Sequence, residues 1–222
     1  MNILLVGNGN MGLEFKKYYK NSNHKIIDTL HLKHKTYKKN IPIDIIIDFS
    51  SPKALNISLK YALLYKVPLI LGTTSYSLDE LERIKNASKK IPICLDSNYS
   101  IAFNNFKIIK EFLSNIPLNK NEYIIEKHHS SKKDSPSGSA KTLSNSSSTI
   151  YALRGGNHFG VHEVIYLFEN EEISIKHTAN NRKIFVEGVN LVLNEISSYK
   201  NGLYKLKDFI KETIWSNYIS LL

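Results

Sequence analysis

The feature that most constrains this chain is a glycine pattern close to its first residue. The apolar run of residues 2–6 is followed at once by Gly7, Gly9 and Gly12, which have the spacing Gly-x-Gly-x-x-Gly. After a strand, the first glycine permits a tight turn, the second lets a pyrophosphate approach the backbone, and the third lets a helix pack closely. The helix that begins here offers free N–H groups to an anion. The pattern predicts a dinucleotide-binding unit, although a tight strand-to-helix turn without a ligand would need the same glycines.

The first hundred residues alternate short apolar runs with helix-like segments. Strand-like runs cover residues 2–6, 25–30, 43–49, 68–71 and 91–95. Helix-like segments cover residues 11–19, 52–65 and 78–89. Because parallel strands joined by helices are covered on both faces, their sequences are nearly continuous apolar runs, as they are here. The rhythm predicts an α/β fold with a doubly wound parallel sheet.

The pattern changes after residue 100. A long helix is expected over 101–113, a strand over 123–128, a Ser- and Lys-rich loop from 132, and a short helix over 143–150. Two β runs at 160–168 and 172–179 form a hairpin, and a helix returns at 186–198. We therefore expect a dinucleotide-binding domain made of residues 1–100 plus 183–222, with an inserted α+β domain at residues 101–182.

Composition excludes several classes of protein. The net charge is +10, but 27 of the 30 basic residues are lysine, and arginine is the residue favoured for phosphate and guanine contacts. A solvated lysine surface is therefore favoured over a nucleic-acid-binding patch. The longest apolar runs are far shorter than the ~18 residues of a membrane span. With the single Cys94 and no secretory signal, we expect a soluble, cytoplasmic protein without a nucleic-acid or membrane partner.

The cofactor preference depends on the residues that follow the second strand. Dinucleotide folds usually carry an acidic residue here, about 20 residues after the glycines, that binds the ribose hydroxyls. In this chain Asp28 lies within the strand run, His31 occupies the strand end, and Lys33 and Lys35 follow. Because lysines attract a 2′-phosphate that a carboxylate would repel, we favour NADPH, or the use of both dinucleotides, over strict NADH. A solvated lysine loop would have the same sequence.

The densest chemistry lies between residues 126 and 139. His128 and His129 are adjacent at a strand end, where successive side chains point to opposite faces, so they cannot both enter a core. Histidine donates a proton near neutral pH, and the lysine, serine and glycine residues that follow offer groups for an anionic ligand. Two adjacent histidines lack the spacing of a metal site, and we assign no metal here.

These segments, in this order, resemble the dihydrodipicolinate reductase family, and the resemblance covers nearly the whole chain. Residues 126–139 look like the family signature E-x-H-H-x-x-K-x-D-x-P-S-G-T. The segments 154–156, 160–163, 177–182 and 202–204 are also similar to family segments. The resemblance implies an enzyme that uses NAD(P)H to reduce 4-hydroxy-tetrahydrodipicolinate, a cyclic dicarboxylate, in the diaminopimelate route to lysine.

The resemblance also implies roles for individual residues. His128 would be the general acid, and Lys132 would be a second proton donor or a carboxylate ligand. His129, Gly138 and Ser139 would bind the substrate carboxylates. The residues implied for the dinucleotide are Gly7, Asn8, Gly9, Asn10, Met11, Gly12, His31, Lys33, Gly72, Thr73, Thr74, Asp96, Ser97, Asn98 and Tyr99. The family also implies a homotetramer formed through the second domain.

The chain departs from the family pattern at several positions. His31 replaces the usual acidic residue, Ser75 a usual glycine and Ser139 a usual threonine, and the connection between Ser139 and Arg154 is shorter than in the family. Residues 211–222 form an apolar, lysine-bearing extension that we expect to be a packing helix. Two alternatives are an aspartate dehydrogenase-like oxidoreductase and an inactive dinucleotide-binding protein, neither of which needs His128, His129 and Lys132 together.

Overall fold

The computed structural model describes residues 1–38 and 40–210, so the extension at 211–222 lies outside the described residues. The chain forms two compact units. The first contains Met1–Ile101 and the described residues from Phe185 onward, and the second contains Ala102–Ile184. Within the described ranges, no helix combines the length and the apolar character that crossing a bilayer requires.

The first unit is built on a six-stranded parallel sheet. Its strands are β1 (Asn2–Val6), β2 (Lys25–Leu30), β3 (Ile45–Asp48), β4 (Leu69–Leu71), β5 (Pro92–Leu95) and β10 (Gly202–Tyr204). Their order across the sheet is β10-β5-β4-β3-β1-β2. The chain moves outward from β1 in one direction to β2 and in the other to β3, so the sheet is doubly wound with its switch point beside β1. This confirms the fold class expected from the sequence.

Helices cover both faces of this sheet. They are α1 (Asn10–Tyr19), α2 (Leu55–Tyr65), α3 (Leu78–Ser88) and α6 (Lys183–Glu195), together with Ile101, the first residue of α4 (Ile101–Ser114). Successive residues of β1 enter different cores: Leu4 and Val6 pack on one face, and Ile3 and Leu5 on the other. Since both faces are buried, the strands read as continuous apolar runs.

Local sequence signals set the helix ends. At the start of α3, the Ser77 side chain accepts from the Glu80 amide and the Glu80 carboxylate accepts from the Ser77 amide, which is a capping box. Helix α2 ends at Tyr65, and the capping residue Lys66 has a φ of 53°, in the left-handed region. In α6, a Cβ on Gly188 would overlap the carbonyl oxygen of Tyr99, so the glycine permits close packing of this helix.

The second unit is a four-stranded mixed sheet with helices on one face. Its strands are β6 (Asn121–His128), β7 (Ser148–Arg154), β8 (Gly160–Leu167) and β9 (Glu172–Ala179), in the order β7-β6-β8-β9. The remainder of α4 and the short helix α5 (Gly138–Leu143) contribute Phe103, Phe106, Ala140 and Leu143 to a core with the inner face of the sheet. The other face carries alternate residues of every strand.

One expectation about local structure was wrong, and one strand was not expected. Residues 143–150 do not form a helix, because α5 ends at Leu143 and β7 begins at Ser148. Strand β7 pairs in parallel with β6, and Ile150 lies opposite Ile124, so alternate residues of β7 face the core. The serine run 146–148 hides this alternation of apolar and polar residues in the sequence. Strand β10 was not expected either, since three residues are too few to show a period.

Candidate functional site

In the first unit, the candidate cofactor residues follow a single row across the sheet. Val6 pairs with Leu30 and with Asp48, Asp48 pairs with Leu71, and Leu71 pairs with Leu95. The residue after each strand end is a predicted ligand or its neighbour: Gly7, His31, Phe49, Gly72 and Asp96. Ligands of open α/β sheets bind outside the carboxyl ends of the strands, and the register places these segments there together.

The glycine turn has the geometry that a pyrophosphate requires. Gly7 has φ +118°, a conformation that other residues rarely adopt, and a Cβ on Gly12 would collide with the Gly7 carbonyl oxygen. A Cβ on Gly9 would point into open space, so the backbone is accessible there. Gly9 is also the N-cap of α1, and no side chain caps its first amides. The residues present therefore fit a dinucleotide phosphate, with Asn8, Asn10 and Met11 completing the turn.

The segment after β2 is a small turn with a basic surface. His31 and His34 exchange two backbone hydrogen bonds of 2.9 Å, and Lys33 lies exposed between them. The exposed Lys35 follows. Asp28 faces His34 with its carboxylate 3.9 Å from the imidazole Nε2. The tip of the turn therefore presents imidazole and ammonium groups, and no carboxylate occurs within residues 31–35.

At the ends of β3 and β4, hydrogen bonds fix the loops. Asp48 is fully buried and accepts from the amide of Ser50 at 2.9 Å and from the Ser58 hydroxyl at 2.5 Å. The Ser50 amide also lies 3.1 Å from the Thr73 hydroxyl, which joins the two loops. Burial raises the pKa of Asp48, and the hydrogen bonds oppose this effect. Thr74 is exposed beside these loops and available to a ligand.

Two predicted cofactor residues after β5 have internal roles. The Tyr99 side chain is 1% exposed, and its hydroxyl lies 3.0 Å from the carbonyl oxygens of Leu71 and Cys94. Asp96 is buried and accepts from the amides of Asn98 and Leu206 at 3.2 and 3.1 Å. These side chains hold the strand ends together, so a ligand would meet the backbone here rather than the rings or carboxylates. Ser97 is exposed and Asn98 half-buried.

In the second unit, His128 is the last residue of β6 and points into the core side of the sheet. Its Nδ1 is hydrogen-bonded to the Glu126 carboxylate, two residues earlier on the same face. Glu126 is fully buried, and its other oxygen accepts from the Arg154 guanidinium at 2.6 Å and the Ser137 amide at 3.1 Å. A Cβ on Gly160 would lie only 3.0 Å from the His128 Nε2. The second imidazole nitrogen therefore lies beside a position without a side chain.

Another buried histidine lies next to this pair. His162, on β8, has its ring centroid 5.3 Å from that of His128, and its Nε2 lies 3.4 Å from the Ser137 hydroxyl. Its Nδ1 is buried and has no hydrogen-bond partner among the described residues. Burial, together with the nearby charge of His128, lowers the pKa of His162 to about 4. His162 is therefore neutral at physiological pH.

Burial and the charge of Glu126 have opposite effects on the pKa of His128. Burial lowers the pKa of His128, and Glu126 raises it. Burial also raises the pKa of Glu126, but the hydrogen bonds from Arg154 and His128 outweigh this effect and keep the pKa below its ordinary value. Glu126, His128 and His162 have the spacing of a metal-binding group. Because Arg154 and His128 already occupy the Glu126 oxygens, we assign no metal.

The loop that follows β6 carries the other predicted substrate residues. His129 is half-buried with its Nδ1 2.8 Å from the Ser131 hydroxyl, so the two adjacent histidines have separate surroundings. The Lys132 ammonium forms an ion pair of 2.8 Å with Asp134. Gly138 begins α5, and a Cβ there would meet nothing within 4 Å, which leaves its backbone open; Ser139 follows half-buried.

Glu126, Arg154 and His162 were not predicted as site residues from the sequence. Signals in the sequence could have identified Glu126 and Arg154. Glu126 and His128 are two positions apart in a strand and so share a face, and Arg154 is one of only three arginines in the chain. The position of His162 depends on the antiparallel pairing of Glu126 with His162, which no local pattern encodes.

A parallel, doubly wound sheet with an uncapped glycine turn at its switch point is characteristic of nicotinamide-dinucleotide-dependent oxidoreductases. Sequence comparison identifies the group within this class. Residues 1–99 match the profile described as "Dihydrodipicolinate reductase, N-terminus", and residues 101–210 match "Dihydrodipicolinate reductase, C-terminus". The chain belongs to the dihydrodipicolinate reductase family.

Individual relatives agree with this assignment. A 4-hydroxy-tetrahydrodipicolinate reductase from Alkaliphilus oremlandii is 33% identical over 95% of this chain and 98% of its own length. The enzyme of that name from Buchnera aphidicola subsp. Cinara cedri is 37% identical over 88% of this chain and 82% of its own. A dipicolinate-bound dihydrodipicolinate reductase from Paenisporosarcina sp. TG-14 has a similar fold, with a TM-score of 0.74, 18% identity and coverage of 92% and 97% of the two chains.

Proposed function

We propose that this chain reduces 4-hydroxy-tetrahydrodipicolinate to tetrahydrodipicolinate with NAD(P)H and loss of water, in the diaminopimelate route of lysine biosynthesis. The match of both family profiles across residues 1–99 and 101–210 carries the proposal. The matching profiles and relatives name this reductase rather than an aspartate dehydrogenase. A dipicolinate complex in a protein of similar fold also supports a small dicarboxylate substrate.

The roles of the residues follow from the chemistry of the reaction. When bound, the reduced dinucleotide supplies a hydride. The chain must supply a proton to the enamine-like species that hydride transfer leaves, and His128 is the group we assign to this step because its Nε2 lies beside Gly160, which has no side chain. The ammonium of Lys132 would bind a substrate carboxylate or donate a second proton, exchanging Asp134 for the ligand. His129, Gly138 and Ser139 would bind the carboxylates.

The activity is tested with freshly prepared 4-hydroxy-tetrahydrodipicolinate, following the loss of NADPH and then NADH absorbance. We expect oxidation that depends on substrate, and His128→Gln should lower kcat by about 10²-fold or more with an almost unchanged dinucleotide Kd, as loss of a general acid does. Binding of NADPH without any substrate-dependent oxidation would reject the proposed reaction. Collapse of dinucleotide binding in the variant would make His128 a structural residue.

We further propose a preference for NADPH over NADH. The turn after β2 carries His31, Lys33 and Lys35, which would attract a 2′-phosphate. His31→Glu should shift the ratio of kcat/KM toward NADH by about tenfold, because a carboxylate repels the phosphate and binds ribose hydroxyls. Lys90→Gln is the matched control: it also lowers the net charge by one, and it lies just before β5, which three strands separate from β2. An equal shift in both variants, or none in His31→Glu, would contradict this assignment.

Finally, we propose that the outer face of the second sheet forms the contact of a homotetramer. The side chains of Tyr151 and Leu153 on β7 are 53% and 51% exposed, and Tyr123 stacks on Tyr151. The helices of this unit pack on the opposite face. Tyr151→Asp should lower the mass measured by light scattering in solution, whereas Leu64→Asp, at an equally exposed leucine of α2, should not. A wild-type monomer would refute this proposal.

A further inference from the structure

The Glu126 side chain does more than neutralise a neighbouring charge. It contacts one nitrogen of His128, and Arg154 and the Ser137 amide hold its other oxygen. A buried carboxylate in this arrangement accepts a hydrogen bond, fixes the orientation of the imidazole ring and selects which nitrogen carries the proton. No partner for the opposite nitrogen, Nε2, occurs among the described residues.

We propose that Glu126, held in place by Arg154, is the positioning residue of His128: it accepts the Nδ1–H and thereby leaves Nε2 as the atom that gives the proton to the substrate. This inference rests on the proposed function, in which His128 is the general acid. During donation the Nε2–H bond breaks and its electron pair stays on Nε2. The C=C electron pair of the enamine-like species forms the new C–H bond, and the nitrogen lone pair of that species forms a C=N bond. The imidazole that remains carries its hydrogen on Nδ1, which is the tautomer that the Glu126 carboxylate favours.

Arg154 extends this arrangement into the loop after β6. It lies at the end of β7, where the parallel register pairs it with His128. Its guanidinium donates to Glu126 at 2.6 Å and to the Asp134 carbonyl oxygen at 2.7 Å. Both hydrogen bonds come from the two N–H groups of a single nitrogen, Nη2, whose directions the planar guanidinium fixes, whereas a flexible ammonium would hold the carboxylate and the loop less well. The same arginine therefore orients the acid's partner and the loop that contains Lys132.

The charged and titratable groups that face His128 come from several elements. They are Glu126 on β6, Lys132 in the following loop, Arg154 on β7 and His162 on β8, which in turn faces His177 on β9. Among them only the carboxylate favours the imidazolium form, while Lys132 and Arg154 disfavour it. Removing the charge of Glu126 should therefore lower the pKa of His128.

The experiment uses the full chain and compares Glu126→Gln with Glu163→Gln. Glu163 lies on β8, half-buried on the opposite face of the sheet, so its variant removes an equal charge without touching His128. Nitrogen-15 and proton NMR, with His128→Gln for assignment, report the tautomer and the pKa of His128 in the protein without substrate. In Glu126→Gln we expect loss of the Nδ1–H tautomer preference, a lower His128 pKa, and a fall in kcat of about tenfold or more with KM changed less than threefold.

Glu126→Asp and Arg154→Lys keep the charges and test the geometry if Glu126→Gln fails to fold. In both variants we expect a smaller loss of the Nδ1–H tautomer than in Glu126→Gln, because the carboxylate and the cation are both kept and only the length or shape of one side chain changes. An unchanged tautomer and pKa in Glu126→Gln would overturn the positioning role. The NMR readout needs no substrate, so the positioning role can hold even if the reduction assay fails, and failure of that assay alone would reject only the proposed reaction.

Discussion

Gly160 controls the space next to the imidazole of His128. It is buried at the start of β8, and a Cβ at this position would lie 3.0 Å from Nε2 and 3.5 Å from the adjacent ring carbon. Such a contact is shorter than ordinary van der Waals packing, so either the ring or the strand would move. Because Glu126 already holds Nδ1, the ring has little freedom to rotate away.

We therefore expect Gly160→Ala to lower kcat by about tenfold through displacement of the His128 ring, since an acid misplaced by a fraction of an ångström transfers its proton less efficiently. The dinucleotide Kd should stay the same. Gly155→Ala is the matched control, because a Cβ there meets nothing within 4 Å. Steady-state kinetics on the three proteins check this, and equal activity in Gly160→Ala and the wild type would show that the ring accommodates the methyl group.

At the scale of single elements, local chemistry decides where helices end. Helix α2 stops at Tyr65. The capping residue Lys66 donates its amide hydrogen to the Ala62 carbonyl oxygen, and its backbone lies at φ 53° and ψ 45°. This is the left-handed helix cap for which glycine is preferred, because any Cβ crowds the following carbonyl. The lysine is exposed, so its side chain does not compensate for the strain through packing.

Lys66→Gly should raise the free energy of unfolding by about 1 kcal/mol, since it removes the strain of a left-handed non-glycine residue. Lys60→Gly should have the opposite effect and lower it by about 1 kcal/mol, because residue 60 lies in the regular interior of the same helix. Urea denaturation followed by far-ultraviolet circular dichroism gives both values. A destabilised Lys66→Gly would mean that this cap is not strained.

At the scale of the whole molecule, the buried histidines make stability depend on pH. Burial lowers the pKa of His162 from 6.5 to about 4. At mild acidity His162 is therefore protonated in the unfolded chain but neutral in the folded chain. As the pH falls from about 6.5 to about 4, the free energy of unfolding therefore decreases, whereas above pH 6.5 His162 makes no contribution to its pH dependence. The difference between the two pKa values corresponds to about 3 kcal/mol.

His162→Gln should lose less stability than the wild type between pH 7 and pH 4.5, because it lacks the group that the unfolded chain protonates. His24, whose pKa burial also lowers, is present in both proteins and so cancels in the comparison, whereas the coupling of His162 to His128 and His177 is part of the difference that is measured. Urea unfolding at the two pH values measures the four free energies. Identical pH dependence in the two proteins would show that His162 is not protonated selectively in the unfolded state.

The sequence by itself determined strands β1 to β5 with the helices between them, and it located the candidate site in residues 126–139. Continuous apolar strands, helical periodicity and three spaced glycines are local signals, and each specifies an element and its turn without knowledge of the rest of the chain. The resemblance in residues 126–139 likewise needed only neighbouring residues. His128 at the strand end and the glycine turn after β1 were both located in this way.

Only the tertiary structure decided which distant residues meet. Arg154 and His162 reach Glu126 and His128 because β7 pairs in parallel, and β8 antiparallel, with β6, and strand register is set by the packing of whole faces. For the same reason β7 replaced the expected helix, since its alternating residues are stabilised by the core and not by their own propensity. The family resemblance implied that Tyr99 and Asp96 bind the dinucleotide, but the fold uses their side chains to hold β5 to its neighbours.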